Sequence, residues 1–133
     1  MIIGYTTGVF DLFHSGHLNI LKKAKLLCDK LIVGVTTDEY AREYKGFQPT
    51  FKFAERCEII RSIKYVDVVV PQRNHDKFEA WERYKFDIIV VGDDWKSTKK
   101  WIDFEKQFDK VGVKIIYFER TPDISSTSLR KKK

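Results

Sequence analysis

The sequence predicts one α/β domain built on a five-stranded, doubly wound parallel sheet. Short β-branched runs alternate with amphipathic stretches along the chain, and the runs are almost continuously apolar, as in parallel strands covered on both faces. With 133 residues, of which 43% are hydrophobic, the chain can form one such core, so we expect a single domain over residues 1–133. Ligands of these sheets bind beyond the carboxyl ends of the strands, near the point where the strand order reverses.

The predicted elements follow one another in strand–helix order. Strands are expected at Ile2–Thr6, Leu31–Thr36, Val66–Val70, Ile88–Val91 and Val113–Phe118. Helices are expected at Leu18–Cys28, Ala54–Ile63, Lys77–Tyr84 and Trp101–Lys110, where apolar residues recur at helical spacing. The segment from Glu39 to Phe53 contains Gly, Pro and aromatic residues, which favours a loop. Its Lys45 is either a mobile charge for a phosphate or a solvated surface lysine.

Composition and charge argue against several classes of protein. No apolar run approaches the length of a membrane span, and the first residues lack the pattern of a signal peptide, so we expect a cytoplasmic protein without a membrane partner. The net charge of +6 favours an anionic ligand. No RNA-binding signature accompanies that charge, so nucleic acid is not the expected partner. Cys28 and Cys57 are far apart and match no metal-binding spacing.

A glycine turn follows the first predicted strand. Residues 8–17 read Gly-Val-Phe-Asp-Leu-Phe-His-Ser-Gly-His and lead into a helical pattern. A helix start offers unpaired backbone N–H groups and the positive end of the peptide dipole to an anion. Gly8 and Gly16 let the backbone approach that anion, and His14 and His17 add imidazole donors. Asp11 either reaches Mg²⁺ through water or fixes the turn by hydrogen bonding.

Two further motifs follow later predicted strands. Residues 92–95 read Gly-Asp-Asp-Trp after the fourth predicted strand, where Asp93 and Asp94 could form a turn and a helix cap. Residues 120–127 read Arg-Thr-Pro-Asp-Ile-Ser-Ser-Thr and open a short helical pattern. The hydroxyls of this second motif can cap the helix or cradle a phosphate, and the residues alone leave both interpretations open.

Together the three motifs resemble those of the HxGH nucleotidyltransferase superfamily, and within it the cytidylyltransferase branch that acts on glycerol 3-phosphate. The similarity covers nearly the whole chain and includes Thr37-Asp38-Glu39 and Tyr65-Val66-Asp67. It implies a Rossmann-like fold and a homodimer. It also implies transfer of CMP from CTP to a small phosphorylated alcohol, with glycerol 3-phosphate as the expected acceptor and CDP-glycerol and pyrophosphate as the expected products.

The resemblance also implies roles for individual residues. The expected catalytic residues are His14, His17, Lys45, Arg120 and Ser125, with the imidazoles stabilising the pentacoordinate α-phosphoryl group. The expected nucleotide contacts are Gly8, Val9, Phe10, His14, Gly16, His17, Asp94, Arg120, Thr121, Ile124, Ser125, Ser126 and Thr127. The acceptor phosphate would meet Lys45, Lys64 and Lys77. Mg²⁺ would be held mainly by the nucleotide phosphates, with no metal site of the protein's own.

Three positions depart from the pattern expected for glycerol 3-phosphate. Val9 stands where a threonine is frequent, Lys64 stands where an arginine is usual, and Lys45 occupies a segment that often has two lysines. These departures concern the acceptor more than CTP. The alternatives are another acceptor such as choline phosphate, an adenylyltransferase of the same fold and, least expected, a non-catalytic module that binds nucleotide or nucleic acid.

Overall fold

The computed structural model describes residues 1–119, which form a five-stranded parallel sheet with helices on both faces. The strands are β1 (Ile3–Gly8), β2 (Lys30–Thr36), β3 (Val68–Gln72), β4 (Ile88–Gly92) and β5 (Lys114–Phe118). Their order is β3-β2-β1-β4-β5, and each neighbouring pair runs parallel. The predicted fold class is confirmed, and the strand order reverses between β1 and β4.

The helices lie close to the predicted positions. They are α1 (Ser15–Leu26), α2 (Asp38–Tyr40), α3 (Phe53–Arg61), α4 (Lys77–Tyr84) and α5 (Lys99–Lys110), with a π-helical turn at Ala41–Lys45 and a 3₁₀ turn at Asp93–Trp95. In the part of the chain that the structure describes, no helix is both long enough and apolar enough to cross a membrane.

The predicted loop from Glu39 to Phe53 is wrong in its first half. The Thr37 side chain caps α2 by accepting a hydrogen bond from the Tyr40 amide at 3.2 Å, and the π-helical turn then carries helical backbone to Lys45. Gly46 follows in the left-handed region with φ 76°, where glycine ends a helix at little steric cost. Within the predicted loop, irregular backbone is therefore confined to residues 46–52.

Each face of the sheet has its own apolar core. α1 and α3 cover one face, where Leu21, Ala24, Cys57 and Ile60 pack with Leu31, Val33, Val35 and Val90. α4 and α5 cover the other face, where Ala80, Trp101, Phe104 and Phe108 pack with Tyr5, Ile32, Ile89 and Val91. Successive strand residues alternate between the two cores, so the strands are apolar throughout.

Candidate active site

The predicted glycine turn lies at the carboxyl end of β1, beside the reversal in strand order. β1 ends at Gly8 and lies between β2 and β4. Within the turn, Phe10 and Leu12 adopt left-handed conformations with φ 54° and 50°. Bulky residues rarely adopt this conformation, which persists only where surrounding structure holds it. The contacts that hold the turn are therefore part of the site.

Arg56 of α3 is one of these contacts. Its side chain is fully buried (0% exposed), and its Nη1 donates to the carbonyl oxygens of Val9 at 2.8 Å and Thr36 at 2.7 Å. Its Nε donates to the Phe51 carbonyl at 2.9 Å, and Nη2 pairs with the Asp38 carboxylate at 2.6 Å. One guanidinium thus joins the β1–α1 turn to the end of β2, to α2 and to the segment before α3.

Asp11 provides the second connection. Its carboxylate is buried and accepts hydrogen bonds from the backbone amides of Thr50 at 2.8 Å and Phe51 at 3.0 Å. Of the two roles left open by the sequence, hydrogen bonding that fixes the turn is the one this geometry supports. Asp11 and Arg56 together hold the strained turn against residues 50–51.

Arg56 is not among the residues predicted from the sequence, because an arginine in an amphipathic helix is normally solvent-exposed. A signal was present: Arg56 lies four residues before Ile60 and next to Cys57, so it falls on the apolar side of the predicted helix. An arginine on that side, with no carboxylate one turn away, indicates a buried guanidinium with partners elsewhere in the chain.

His14 and His17 cap the start of α1 as a pair. Their rings stack with centroids 3.9 Å apart. His14 Nδ1 accepts from the Gly16 amide at 3.0 Å, and the His14 amide donates to His17 Nδ1 at 3.3 Å. Because each Nδ1 accepts a hydrogen bond, the proton of each neutral imidazole lies on Nε2. The cap thus orients both rings and defines the N–H group that each can offer to a ligand.

Aromatic side chains surround the second imidazole. The Phe10 and Phe13 ring centroids lie 5.5 Å and 5.4 Å from that of His17. Apolar walls lower the local dielectric constant, which strengthens a hydrogen bond between the imidazole and an anion. Gly8 is also close to this group, since a Cβ there would lie 3.3 Å from the Phe10 ring.

The turn after β4 lies at the same edge of the sheet. Gly92 ends β4, and the exposed Asp94 sits in the 3₁₀ turn that follows. Trp95 remains 46% exposed, and its ring centroid is 5.9 Å from Lys45 Nζ. The predicted Asp94 and Lys45 are therefore both brought to the carboxyl edge, where the β1–α1 turn also lies.

Lys77 lies at this edge as the first residue of α4. Burial, followed by the nearby ammonium groups of Lys45 and Lys100, lowers its pKa to about 7. Burial and Lys100 also lower the pKa of Lys45. The structure thus brings Lys45 and Lys77 together, as the acceptor hypothesis requires.

A hydrogen-bonded chain from the core positions the start of α4. The buried Tyr5 hydroxyl donates to the Gln72 side-chain oxygen, and Gln72 Nε2 donates to the Asn74 carbonyl at 2.7 Å. Asn74 Oδ1 accepts from the Asp76 amide at 2.8 Å. Asp76 then caps α4 by accepting from the amides of residues 78 and 79. Lys77 therefore projects from a fixed segment.

Lys64 is not brought to this edge. It lies in the turn between α3 and β3, with Nζ 5.3 Å from the Tyr65 ring centroid. Nearby, the Asp67 carboxylate accepts from the Leu31 amide at the amino-terminal part of β2. The five residues of β3 span roughly 16 Å, so this chain places Lys64 across the sheet from Lys77.

The last predicted motif lies outside the described residues. Its members are Arg120, Thr121, Ile124, Ser125, Ser126 and Thr127. Their expected contacts with the nucleotide remain predictions from the sequence.

Comparison with known families identifies the class of this chain. The model of the cytidylyltransferase-like family matches residues 5–132. The chain belongs to the cytidylyltransferase-like family. This cytidylyltransferase-like protein is 38% identical over 127 residues to a glycerol-3-phosphate cytidylyltransferase of Bacillus spizizenii, covering 95% of this chain and 92% of the relative. It is also 34% identical over 126 residues to an FAD synthase of Thermococcus sibiricus, covering 92% of this chain and 85% of the relative.

A solved structure agrees with this assignment. The lipopolysaccharide core biosynthesis protein of Thermoplasma volcanium superimposes with a TM-score of 0.80 at 34% identity, covering 91% of this chain and 98% of that protein. The family resemblance predicted from the motifs is confirmed, and this cytidylyltransferase-like protein is a nucleotidyltransferase.

Proposed function

We propose that this protein transfers CMP from CTP to a small phosphorylated alcohol, with glycerol 3-phosphate as the first candidate acceptor and CDP-glycerol and pyrophosphate as products. One observation carries the proposal: two imidazoles stack at the start of α1, beyond the carboxyl end of β1. The relationship to a glycerol-3-phosphate cytidylyltransferase, 38% identical over 127 residues, supports both the nucleotide and the acceptor.

In the proposed reaction, the phosphate oxygen of the acceptor attacks the α-phosphorus of CTP. A new P–O bond forms, the bond from the α-phosphorus to the oxygen bridging the β-phosphorus breaks, and pyrophosphate leaves with that electron pair. No side chain needs to form a covalent bond, so catalysis consists of positioning and charge stabilisation. The Nε2–H groups of His14 and His17 are the proposed donors to the α-phosphoryl oxygens. The start of α1 adds a favourable dipole.

The proposed nucleotide site extends along the carboxyl edge. The turn at Gly8, Val9 and Phe10 would follow the triphosphate, and Asp94 would accept hydrogen bonds from the ribose or the cytosine amine. The motif at residues 120–127 would complete the site, with Arg120 reaching the nucleoside and the Ser and Thr hydroxyls holding the leaving pyrophosphate. That part of the proposal rests on the sequence resemblance.

We place the acceptor phosphate at Lys45 and Lys77, at the same edge of the sheet as the imidazoles. Both lysines lie at the carboxyl edge, where burial, followed by the charges of nearby ammonium groups, lowers the pKa of each. Binding a phosphate dianion there would relieve that repulsion while presenting a nucleophilic oxygen to the α-phosphorus.

Mg²⁺ is proposed to enter with the nucleotide. Within residues 1–119, no group of three or more His, Cys, Asp and Glu side chains is arranged to hold a metal ion. Phosphate oxygens are ligands that Mg²⁺ prefers, so the triphosphate would supply most of its coordination. When bound, the ion would neutralise charge on the phosphates.

Transfer of AMP is the second candidate function. It is favoured by the relationship to an FAD synthase, 34% identical over 126 residues. A single assay separates the two. Pyrophosphate release is measured with Mg²⁺, either CTP or ATP, and each of glycerol 3-phosphate, choline phosphate and FMN.

We expect release with CTP and glycerol 3-phosphate. Release with CTP and only another acceptor would keep cytidylyl transfer and change the acceptor. Release with ATP alone would replace CMP transfer by AMP transfer. No release in any combination would contradict the proposed reaction.

A further inference from the structure

Three segments that carry lysines meet at the carboxyl edge of the sheet. Lys45 ends the π-helical turn that follows β2, Lys77 begins α4 after β3, and Lys100 is the second residue of α5 after β4. Because the carboxyl ends of parallel strands share one edge, the topology places all three segments on the same side of the sheet.

Contacts with aromatic rings join these segments. Lys45 Nζ lies 5.9 Å from the Trp95 ring centroid, so the π-helical turn reaches the segment before α5. The carbonyl of Trp95 accepts from the Thr98 hydroxyl at 2.7 Å, and Thr98 caps α5. The ring centroids of Tyr44 and His75 lie 6.2 Å apart, which joins the same turn to the segment before α4.

The electrostatics agree with this convergence. Burial, followed by the charges of Lys45 and Lys100, lowers the pKa of Lys77, and burial, followed by the charge of Lys100, lowers the pKa of Lys45. The topology and the ring contacts bring the three lysine-bearing segments together at one edge, and we call Lys45, Lys77 and Lys100 the lysine cluster.

No lysine of the cluster takes part in an ion pair with another residue of the described range, 1–119. Within residues 1–119 the ion pairs are Lys25–Asp67, Arg56–Asp38 and Arg83–Glu79, none of which includes a cluster lysine. Asp76 is the carboxylate that acts on Lys77, but its Oδ1 already accepts two backbone amides at the start of α4. The first turns of α4 and α5 add positive dipole ends to the same region.

An uncompensated cluster of cations is unfavourable in the free protein and becomes favourable when an anion binds. We propose that Lys100 joins Lys45 and Lys77 in a single anion site that holds the phosphate of the acceptor. This inference rests on the proposed function and adds Lys100 to it as a specificity-determining residue. The ligand class is a phosphate monoester, whose charge near pH 7 is about −1.5 to −2.

Lys99 offers a matched control. It is the neighbour of Lys100 in the first turn of α5, and both residues are exposed. Lys99 is not among the charges that act on Lys45 or Lys77. Lys99→Ala and Lys100→Ala therefore remove the same charge from the same helical turn, and only the second removes it from the lysine cluster.

The test combines a binding measurement with kinetics. Inorganic phosphate is titrated calorimetrically into the wild type, Lys100→Ala, Lys100→Arg and Lys99→Ala, and the KM values of the acceptor and CTP are then measured for each. We expect Lys100→Ala to weaken phosphate binding and raise the acceptor KM by about five- to tenfold, the scale of losing one solvated charge-assisted contact. Lys99→Ala should change the phosphate affinity and the acceptor KM by less than about twofold, as for an ordinary surface charge. Lys100→Arg keeps the positive charge, so its phosphate affinity and acceptor KM should stay close to those of the wild type.

Two results overturn the inference. One is equal behaviour of Lys100→Ala and Lys99→Ala in both measurements; the other is a rise in the CTP KM in place of the acceptor KM. The binding measurement also separates this inference from the proposed reaction. If phosphate binding depends on Lys100 but no substrate pair releases pyrophosphate, the anion site stands and the reaction fails. If pyrophosphate is released but the two variants match, the reaction stands and Lys100 has no part in it.

Discussion

The β1–α1 turn and the lysine cluster lie at the same edge of the sheet but are stabilised in opposite ways. At the turn, Arg56 places its donors on Val9, Thr36, Phe51 and Asp38, all within the protein. In the lysine cluster, burial and neighbouring ammonium groups lower the pKa values of Lys45 and Lys77, and no cluster lysine forms an ion pair within residues 1–119. The turn is held by partners within the protein, whereas the counter-charge of the lysine cluster would come from the proposed anionic ligand.

This difference predicts different roles for the two regions. A turn already held in a strained conformation can present donors to the α-phosphoryl group without rearrangement, which is the condition for strong electrostatic stabilisation. Like charges held close together lower the stability of the free protein but increase its affinity for an anion, a combination that is common at functional sites. Substitutions at the turn should therefore reduce stability or turnover, whereas substitutions in the cluster should reduce acceptor affinity and increase stability.

The largest effect is expected from Arg56→Met. This change leaves the half-buried Asp38 carboxylate and three backbone carbonyls without their partner, and breaking an ion pair whose guanidinium is fully buried costs about 3–5 kcal/mol. The free energy of unfolding is measured by urea denaturation. Arg42→Met is the control, since the exposed Arg42 has a single side-chain bond, to Gln48 at 3.1 Å. Equal stabilities for the two variants would show that Arg56 does not hold the turn.

His17→Ala should lower kcat by about two to three orders of magnitude, the scale of losing a preorganised donor to a developing charge. The variant also loses the acceptor for the His14 amide, so about 1 kcal/mol of stability should disappear with the cap. Kinetics at saturating substrate are compared with thermal melting. Lys22→Ala, an exposed change on the same helix, serves as the control. A folded His17→Ala enzyme with normal kcat would exclude the imidazole from the mechanism.

Lys45→Ala should chiefly raise the acceptor KM, by about tenfold, because a single charge binds the ground state and the transition state to similar extents. The CTP KM should change little. Lys114→Ala is a suitable control, since this exposed lysine begins β5 at the opposite edge of the sheet. A change confined to the CTP KM would assign Lys45 to the nucleotide.

The smallest effects are expected in the pH dependence conferred by Lys77. Its pKa is about 7 in the folded protein, below the ordinary 10.5. Burial is the largest cause of this decrease, the charges of Lys45 and Lys100 add to it, and the Asp76 carboxylate opposes it. Between these two values the unfolded chain binds more protons than the folded one, so this group makes stability rise with pH from about 7 to 10.5. Lys77→Met should melt at a higher temperature than the wild type at pH 6.5 and lose this part of the pH dependence.

Deprotonation of Lys77 should weaken acceptor binding as the pH rises, although it increases stability. Above the pKa of about 7, Lys77 loses its proton and with it the charge that attracts phosphate, so the acceptor KM should rise with pH. The KM profile is measured from pH 6.5 to 9 for the wild type and Lys77→Met. Parallel profiles for the two proteins would show that Lys77 does not contact the acceptor.

Local patterns predicted the fold and much of the candidate site. The nearly continuous apolar runs identified the parallel strands, and three motifs taken together, the first of which contains His14 and His17, identified the family. Each run and each motif is formed by residues close together in the chain, where periodicity and helix-start chemistry are visible without a structure.

The remaining features depend on contacts between distant residues. Arg56 meets Val9 across 47 positions of the chain, and Asp11 meets Thr50 across 39, which no local pattern records. The helical backbone at Ala41–Lys45 likewise replaced a predicted loop.

Sequence and tertiary structure thus determine different properties of this protein. Hydrophobic periodicity and the motifs specify the sheet, the helices and the β1–α1 turn, because each is encoded within a few residues. Tertiary structure decides which charged segments meet: it brings those of Lys45, Lys77 and Lys100 to one edge of the sheet and leaves Lys64 at the other. The physical reason is that Coulomb energies depend on distances in space, and the order of the strands sets those distances.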